Sequence, residues 1–356
     1  MSIPPDISIA NRLIGAAHPP YIIAEISGNH GGKLEAAFRL IDAAKNSGAD
    51  AVKLQTYTAD TITLDHDAPE FWIKDGLWDK RRLYDLYREA YTPWEWHKPL
   101  FDYAKQQGIV IFSSAFDPTA IDLLESLDAP AYKIASFEIL DLPLIRLAAS
   151  TGKPLIISTG MASLAEIVDA VDAAQAAGAQ QLILLHCISG YPAPCADANL
   201  ATIPALAKAF GLNIGLSDHT LGTAVSVAAV ALGASVIEKH LSLSGEGETV
   251  DSAFSLADDG FGQLVADCQG AHQAIGRVTF GPVASEANVL SLRRSLYVVA
   301  DIAAGETIGP HNVRSIRPGL GLAPKFTDLV MGRMATRALS RGMPLHWDMI
   351  GASAKS

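Results

Sequence analysis

Along the first 243 residues, short apolar runs alternate with longer amphipathic ones. The runs YIIAEIS (21–27), AVKLQTY (51–57), IVIFSSAF (109–116), AYKIAS (131–136), PLIISTG (154–160), LILLHCIS (182–189), NIGLSDHT (213–220) and SVIEKHLSL (235–243) are rich in β-branched residues and have the length of buried strands. Between them, stretches at 34–47, 95–107, 118–127, 163–177, 200–210 and 223–232 repeat their apolar positions at helical spacing. Gly48, Gly108, Gly178 and Gly233 stand just past such stretches, where a left-handed residue ends a helix. Strands apolar on both faces and separated by helices predict a parallel sheet with helices covering it, and eight such units predict a closed (β/α)8 (TIM) barrel of the α/β class.

Two segments depart from this order. Residues 58–94, after the second strand, hold an insertion rich in aromatic and charged residues, EFWIKDGLWDKRRLYDLYREAYTPWEW, on the end of a barrel where long loops shape a substrate pocket. The last barrel helix is predicted to end near Gly276. TFGPVASEAN then has linker composition, and from Ser295 short strands and tight turns begin. Two loosely similar phrases there, ADIAAGETIGPHNV and RALSRGMPLHWDMI, predict a small all-β clip. The expected organisation is a catalytic barrel over 1–282, a linker over 283–293 and an all-β domain over 294–356, which fits a chain of 356 residues against the roughly 250 of a typical barrel.

Composition narrows the chemistry. With 49% apolar and 18% charged residues the chain reads as folded, without low-complexity tracts. A formal charge of -11 argues against a nucleic-acid partner, which needs a basic face. MSIPPDISIANRLIG lacks a basic start followed by an apolar run, and no stretch reaches the roughly eighteen apolar residues of a membrane span, so a cytoplasmic enzyme with no membrane partner is expected. Cys187, Cys195 and Cys268 have no zinc-type spacing. No GxxxxGK[ST] or GxGxxG loop is present.

Polar residues instead collect at the strand ends, where a barrel of this kind keeps its catalytic groups. They are Glu25, then Lys53 and Gln55, Ser113 and Ser114, Lys133 and Ser136, Ser158, His186 to Ser189, Ser217 to His219, and Glu238 to His240. A single unpaired polar group in a buried strand costs a few kcal/mol, so their recurrence on every strand marks a site. His219 and His240 end adjacent strands; two imidazoles are too few for a closed structural zinc site but suit an open divalent ion acting as a Lewis acid. Lys53, Lys133, Ser114, Ser136, Ser158, Ser189 and Ser217 together form a cradle for a small, highly charged anion. A barrel lysine also serves as a Schiff-base nucleophile, which leaves an aldolase as an alternative.

The strings AEISGNHGG (24–32), VKLQTY (52–57), FSSAFD (112–117), AYKIASFE (131–138), ISTGM (157–161), LHCISGYPAP (185–194), GLSDHT (215–220) and ALGASVIEKH (231–240) resemble the N-acetylneuraminate (sialic acid) synthase family, and VRSIRPGLGLAPK (313–325) resembles its antifreeze-like (SAF, β-clip) domain. The insertion and the phrase YKIASFE are similar to the pseudaminic branch of that family. The resemblance implies a metal-dependent condensation of phosphoenolpyruvate with an amino-sugar aldehyde, 2,4-diacetamido-2,4,6-trideoxy-altrose. It implies Mn2+, or Mg2+ or Co2+, on His219 and His240, and phosphoenolpyruvate on Lys53, Ser114, Lys133, Ser136, Ser158, Ser189 and Ser217. It also implies proton transfer by Glu25, and sugar contacts from Gln55, Tyr191, Asp251 and Arg317, the last from the partner subunit of a domain-swapped homodimer. Two departures bear on the sugar: LSLSGEGETVDSAFS lacks the Gly-Pro-Asp of the neuraminate branch, and Ser189 stands where that branch has Asn. N-acetylneuraminate and legionaminate synthesis therefore stand as alternatives, with a non-catalytic sugar-binding protein as a third class.

Overall fold

A computed structural model describes residues 4–245 and 247–353, which fall into two compact units, one through Gly276 and one from Arg277. In the first, eight parallel strands follow one another around a closed sheet: β1 (Tyr21–Glu25), β2 (Ala51–Thr56), β3 (Val110–Ala115), β4 (Tyr132–Ile134), β5 (Leu155–Ser158), β6 (Leu182–Cys187), β7 (Asn213–Asp218) and β8 (Val236–Ser242). β8 pairs with both β7 and β1, so no edge is left open, and the two-residue strand Leu256–Ala257 adds only to the tip of β8. The covering helices are α1 (Leu34–Asn46), α2 (Trp94–Gln107), α3 (Pro118–Ser126), α4 (Leu142–Ser150), α5 (Leu164–Ala176), α6 (Thr202–Phe210), α7 (Ala224–Ala231) and α8 (Asp258–Ile275).

The caps are legible in the residues. Asp117 and Asp141 each accept backbone N–H groups in the first turn of α3 and α4, Ser163 and Glu166 form a reciprocal capping box on α5, and Gly108 ends α2 in the left-handed conformation. The apolar faces of these helices pack on the outward side chains of the strands, such as Ile22, Val52, Ile157 and Ile237.

The inward side chains change character along each strand. At the N-terminal end they are apolar: Tyr21, Ile23, Ala51, Phe112, Ile156, Ile183 and Val236 form one buried cluster. Gly215 belongs to this level, where a Cβ would collide with Leu185 and the Val236 carbonyl. The cluster also takes in Ile7, Ile9 and Ile14 from a short antiparallel hairpin, Ile7–Ile9 with Arg12–Ile14. Ser8 N–H donates to Gln181 Oε1 and Asn213 Nδ2 to the Pro5 carbonyl, which fastens this hairpin across the strand starts. It closes the N-terminal end of the barrel, a plug that three-residue strands give no periodicity to predict. The inward charged groups of β1, β2, β4 and β8, Glu25, Lys53, Lys133 and Glu238, lie beyond this apolar level, towards the C-terminal end.

Outside the barrel wall, Asp218 and Lys239 form an ion pair at 2.9 Å, each side chain 1% exposed. Lys239 also donates to the Thr220 carbonyl, while Ser226 of α7 and Thr220 donate to the Asp218 carboxylate. Because Asp218 precedes His219 and Lys239 precedes His240, this network fixes the two strand ends that carry the imidazoles.

In the second unit, β9 (Ser295–Val298) pairs antiparallel with β10 (Val313–Ile316), and β11 (Arg333–Ala335) with β12 (Ile350–Ser353). The two similar phrases pair with each other, Ile302 and Leu339 exchanging both backbone hydrogen bonds at 2.9 Å. Leu296, Val298, Ile308, Val313 and Leu345 fill its core. No helix among the described residues is long and apolar enough to cross a membrane.

Removing one partner of a buried, hydrogen-bonded ion pair strands the other charge. Lys239→Ala is expected to lower unfolding free energy by about 3–5 kcal/mol, measured by denaturant unfolding. A loss under about 1 kcal/mol would show that Asp218 is satisfied without it.

Candidate active site

Lys53 stands at the centre of the polar end. Its ammonium touches the Glu25 carboxylate, donates to Ser114 Oγ at 2.8 Å and lies 3.8 Å from Glu238. Lys133 approaches the same Glu238 at 3.8 Å, and Ser217 Oγ donates to it at 2.9 Å. The barrel register builds this ring, since Glu25 is paired with Lys53 and with His240, Ser114 with Lys133, and Ser217 with Glu238. All are buried.

Burial of four charges sets their protonation. It pushes the Glu25 carboxyl up to about 7, although Lys53 pulls it back and Glu238 adds to the rise. Burial would also raise Glu238, but Lys133, Lys53 and the Ser217 hydroxyl outweigh it and hold Glu238 below the usual carboxylate range. For Lys53, burial opposes the charge while Glu238 and Glu25 more than restore it; for Lys133, burial prevails and the amine sits below the ordinary lysine range. One carboxylate is thus a fixed anion between two amines, and the other is poised to exchange a proton near neutrality.

Ser136 Oγ accepts from the Gly160 N–H at 3.1 Å, and a side chain at Gly160 would collide with the Ser136 and Ser189 hydroxyls, so the absence of a Cβ there lets both hydroxyls approach. Ser158 Oγ is buried and has no hydrogen-bond partner. An unmet hydroxyl at this polar end is a donor that a bound anion would satisfy.

The imidazoles of His219 and His240 lie side by side, ring centroids 5.3 Å apart. His219 Nδ1 is 2.9 Å from the Ile188 carbonyl, a closer partner than Cys187 Sγ at 3.8 Å, and His240 Nδ1 is 3.1 Å from Ser27 Oγ. A carbonyl only accepts, so His219 carries a proton on Nδ1, and in the neutral ring Nε2 keeps its lone pair for a ligand; Ser27 allows His240 the same arrangement. Burial holds His240 well below the usual imidazole range, in the neutral form that binds metal. No group of three or more His, Cys, Asp or Glu side chains suited to a metal occurs among the described residues. Two imidazoles side by side are donors of the kind an open divalent site uses, its other positions left to water and substrate oxygen.

The NeuB family model matches residues 40–279 and the SAF domain model residues 293–351. The chain belongs to the NeuB family. The pseudaminic acid synthase of Helicobacter pylori is 44% identical over 337 residues, 94% of this chain and 99% of that protein. The N,N'-diacetyllegionaminic acid synthase of Legionella pneumophila is 36% identical, covering 95% of this chain and 96% of the other. The crystal structure of the N-acetylneuraminic acid synthetase of Leptospira borgpetersenii, solved with citrate, superposes with a TM-score of 0.72 at 31% identity, covering 81% of this chain and 96% of that one.

On this NeuB-family barrel, the sequence-predicted residues fall into three groups. Glu25, Lys53, Ser114, Lys133, Ser136, Ser158, Ser189, Ser217, His219 and His240 gather at the C-terminal end as described. Tyr191 stacks on His219 at 4.6 Å, and the buried Asp251 accepts the Gly28 N–H at 3.2 Å near the same end, while Gln55 is half-buried on β2 opposite Ser114. Arg317 belongs to the second unit, exposed just after β10.

Sequence reasoning missed the hub. Glu238 meets both lysines and Ser217, and its signal was present: it shares a strand face with His240. Ser27, which orients His240, and Glu138, whose half-buried carboxyl burial pushes up to about 7 while Lys133 pulls it down, were also passed over.

Because its raised value comes from burial, Glu25 holds its proton below about 7 and loses it above. Difference infrared spectroscopy is expected to show a protonated-carboxyl band that fades as pH rises through about 7 and weakens or disappears in Glu25→Gln. A spectrum identical in the variant would assign that proton elsewhere.

Proposed function

We propose that this chain is a pseudaminic acid synthase, condensing phosphoenolpyruvate with 2,4-diacetamido-2,4,6-trideoxy-altrose and releasing phosphate. One observation carries the reading: a ring of two buried lysines, partnered by Glu25 and Glu238, stands at the same barrel end as the unsatisfied Ser158 hydroxyl and a pair of imidazoles side by side. Its likeness to two pseudaminic acid synthases, at 44% and 45% identity, supports the choice of sugar over the legionaminate relative at 36%.

In this reading Lys53, Lys133 and the hydroxyls of Ser114, Ser136, Ser158, Ser189 and Ser217 bind the carboxylate and phosphate of phosphoenolpyruvate. His219 and His240 hold a divalent ion, Mn2+ with Mg2+ or Co2+ as alternatives, which when bound polarises the aldehyde oxygen. Gln55, Tyr191 and Asp251 orient the sugar. The methylene carbon of phosphoenolpyruvate forms a C–C bond to the aldehyde carbon, whose oxygen gains a proton. Water then adds at C2 with Glu25 taking its proton, and phosphate departs as the C2–O bond breaks, leaving the 2-keto acid. Preorganised charge at such a site supplies several kcal/mol of transition-state stabilisation.

The proposal extends to a cytoplasmic, domain-swapped homodimer built from barrel 1–282, linker 283–293 and antifreeze-like domain 294–356, in which Arg317 contacts the partner's sugar. The family resemblance supports that part.

Phosphate release is expected only with phosphoenolpyruvate and the altrose derivative together, to stop on chelation and to return with Mn2+, mass spectrometry showing the nonulosonic acid. Turnover of N-acetylmannosamine but not of the altrose derivative would reject the sugar. Borohydride trapping of a lysine with pyruvate would reject the mechanism in favour of an aldolase.

A further inference from the structure

The insertion between β2 and α2 is more ordered than its composition suggests, and it delivers one side chain to the site. Trp72 and Arg82 pair across an antiparallel bridge, Ile73 exchanges backbone hydrogen bonds with Lys80 and Arg81, and Gly76 turns the chain with φ of 86°. Arg82 anchors the base through Asp85, Asp65 and Asp67, at 2.9, 2.6 and 3.1 Å. At the tip, Trp78 Nε1–H donates to the Val250 carbonyl at 3.0 Å, next to Asp251. Its ring lies 5.5 Å from Tyr191 and 6.0 Å from Phe254. Those two rings in turn cover the imidazoles, Tyr191 at 4.6 Å from His219 and Phe254 at 4.8 Å from His240.

This apolar wall stands against a site otherwise lined by charges and hydroxyls. A wholly structural cluster would bury its rings, but Trp78 and Tyr191 stay partly exposed while Phe254 is enclosed behind them. The indole N–H is already spent on Val250, so what Trp78 offers a ligand is a ring face with no hydrogen-bonding capacity.

We propose that Trp78 is a specificity-determining residue whose ring, with Tyr191, receives the C6 methyl of a 6-deoxy amino sugar and disfavours sugars hydroxylated at C6. The inference rests on the synthase reading above. A methyl pressed on ring faces loses only unfavourable hydration, whereas a hydroxyl there gives up water for nothing.

The test compares kcat/KM for phosphate release on 2,4-diacetamido-2,4,6-trideoxy-altrose and its 6-hydroxylated counterpart, in wild type, Trp78→Ala and Trp78→Phe. Wild type should favour the 6-deoxy sugar by roughly 10- to 100-fold, the range an apolar pocket gives. Trp78→Ala should lose most of that preference through a higher KM for the 6-deoxy sugar, with KM for phosphoenolpyruvate unchanged, and Trp78→Phe should fall between. Equal losses on both sugars, or a preference kept in Trp78→Ala, overturn the assignment. If Trp78→Ala does not fold, a preference in Trp78→Phe equal to wild type overturns it and a reduced one supports it. A wild-type enzyme that prefers the hydroxylated sugar fails the synthase reading itself, and with it this inference, before any variant is compared.

Discussion

Two amines and two carboxylates share the mouth of a closed barrel with almost no access to water, and each is tolerable there only because the others are present. Glu238 lies within 3.8 Å of both lysines, and Lys53 bridges it to Glu25. An isolated buried charge would cost far more than a domain's net stability allows, so these four positions are fixed as a set. The ring also explains why Glu25 is not a simple ion-pair partner: burial and the nearby Glu238 charge outweigh the pull of Lys53 and leave Glu25 able to keep its proton to near neutrality. The same arrangement that makes the barrel end foldable gives it an anion cradle and a proton-exchanging group.

The plugged end gives this mouth its direction. Apolar inward residues and the N-terminal hairpin close one end, so the polar layer has one opening, and the Asp218–Lys239 pair behind the wall keeps β7 and β8 aligned where the imidazoles emerge. The catalytic face and the structural network alternate residue by residue along one strand: Glu238 inward, Lys239 outward, His240 inward.

Most of this was legible in the residues because the signals were periodic. Eight apolar runs, each turning polar at its end, announce a barrel and locate its active end; the alternation of β8 even indicates which of its polar residues face inward. What escaped had no period. The hairpin strands are three residues long, α4 is a nine-residue helix whose start, Asp141 with Pro143, was the available signal, and Glu238 read as one more polar residue until the register placed it between two lysines. Trp78 was hidden among the aromatics of an insertion whose base is held by Arg82 on three carboxylates, two of them distant in sequence. Tyr191 and Asp251, two of the residues proposed to orient the sugar, lie outside the barrel strands, where chemistry is set by tertiary placement rather than pattern.

The central claim is that the imidazole pair and the lysine–serine cradle hold an ion and a phosphorylated enol side by side. Phosphorus-31 relaxation of bound phosphoenolpyruvate in the presence of Mn2+ tests it directly. The account predicts strong relaxation enhancement that disappears in the double variant His219→Ala/His240→Ala while phosphoenolpyruvate stays bound through the cradle. Undiminished enhancement in that variant, or none in the wild type with both ligands bound, would contradict it.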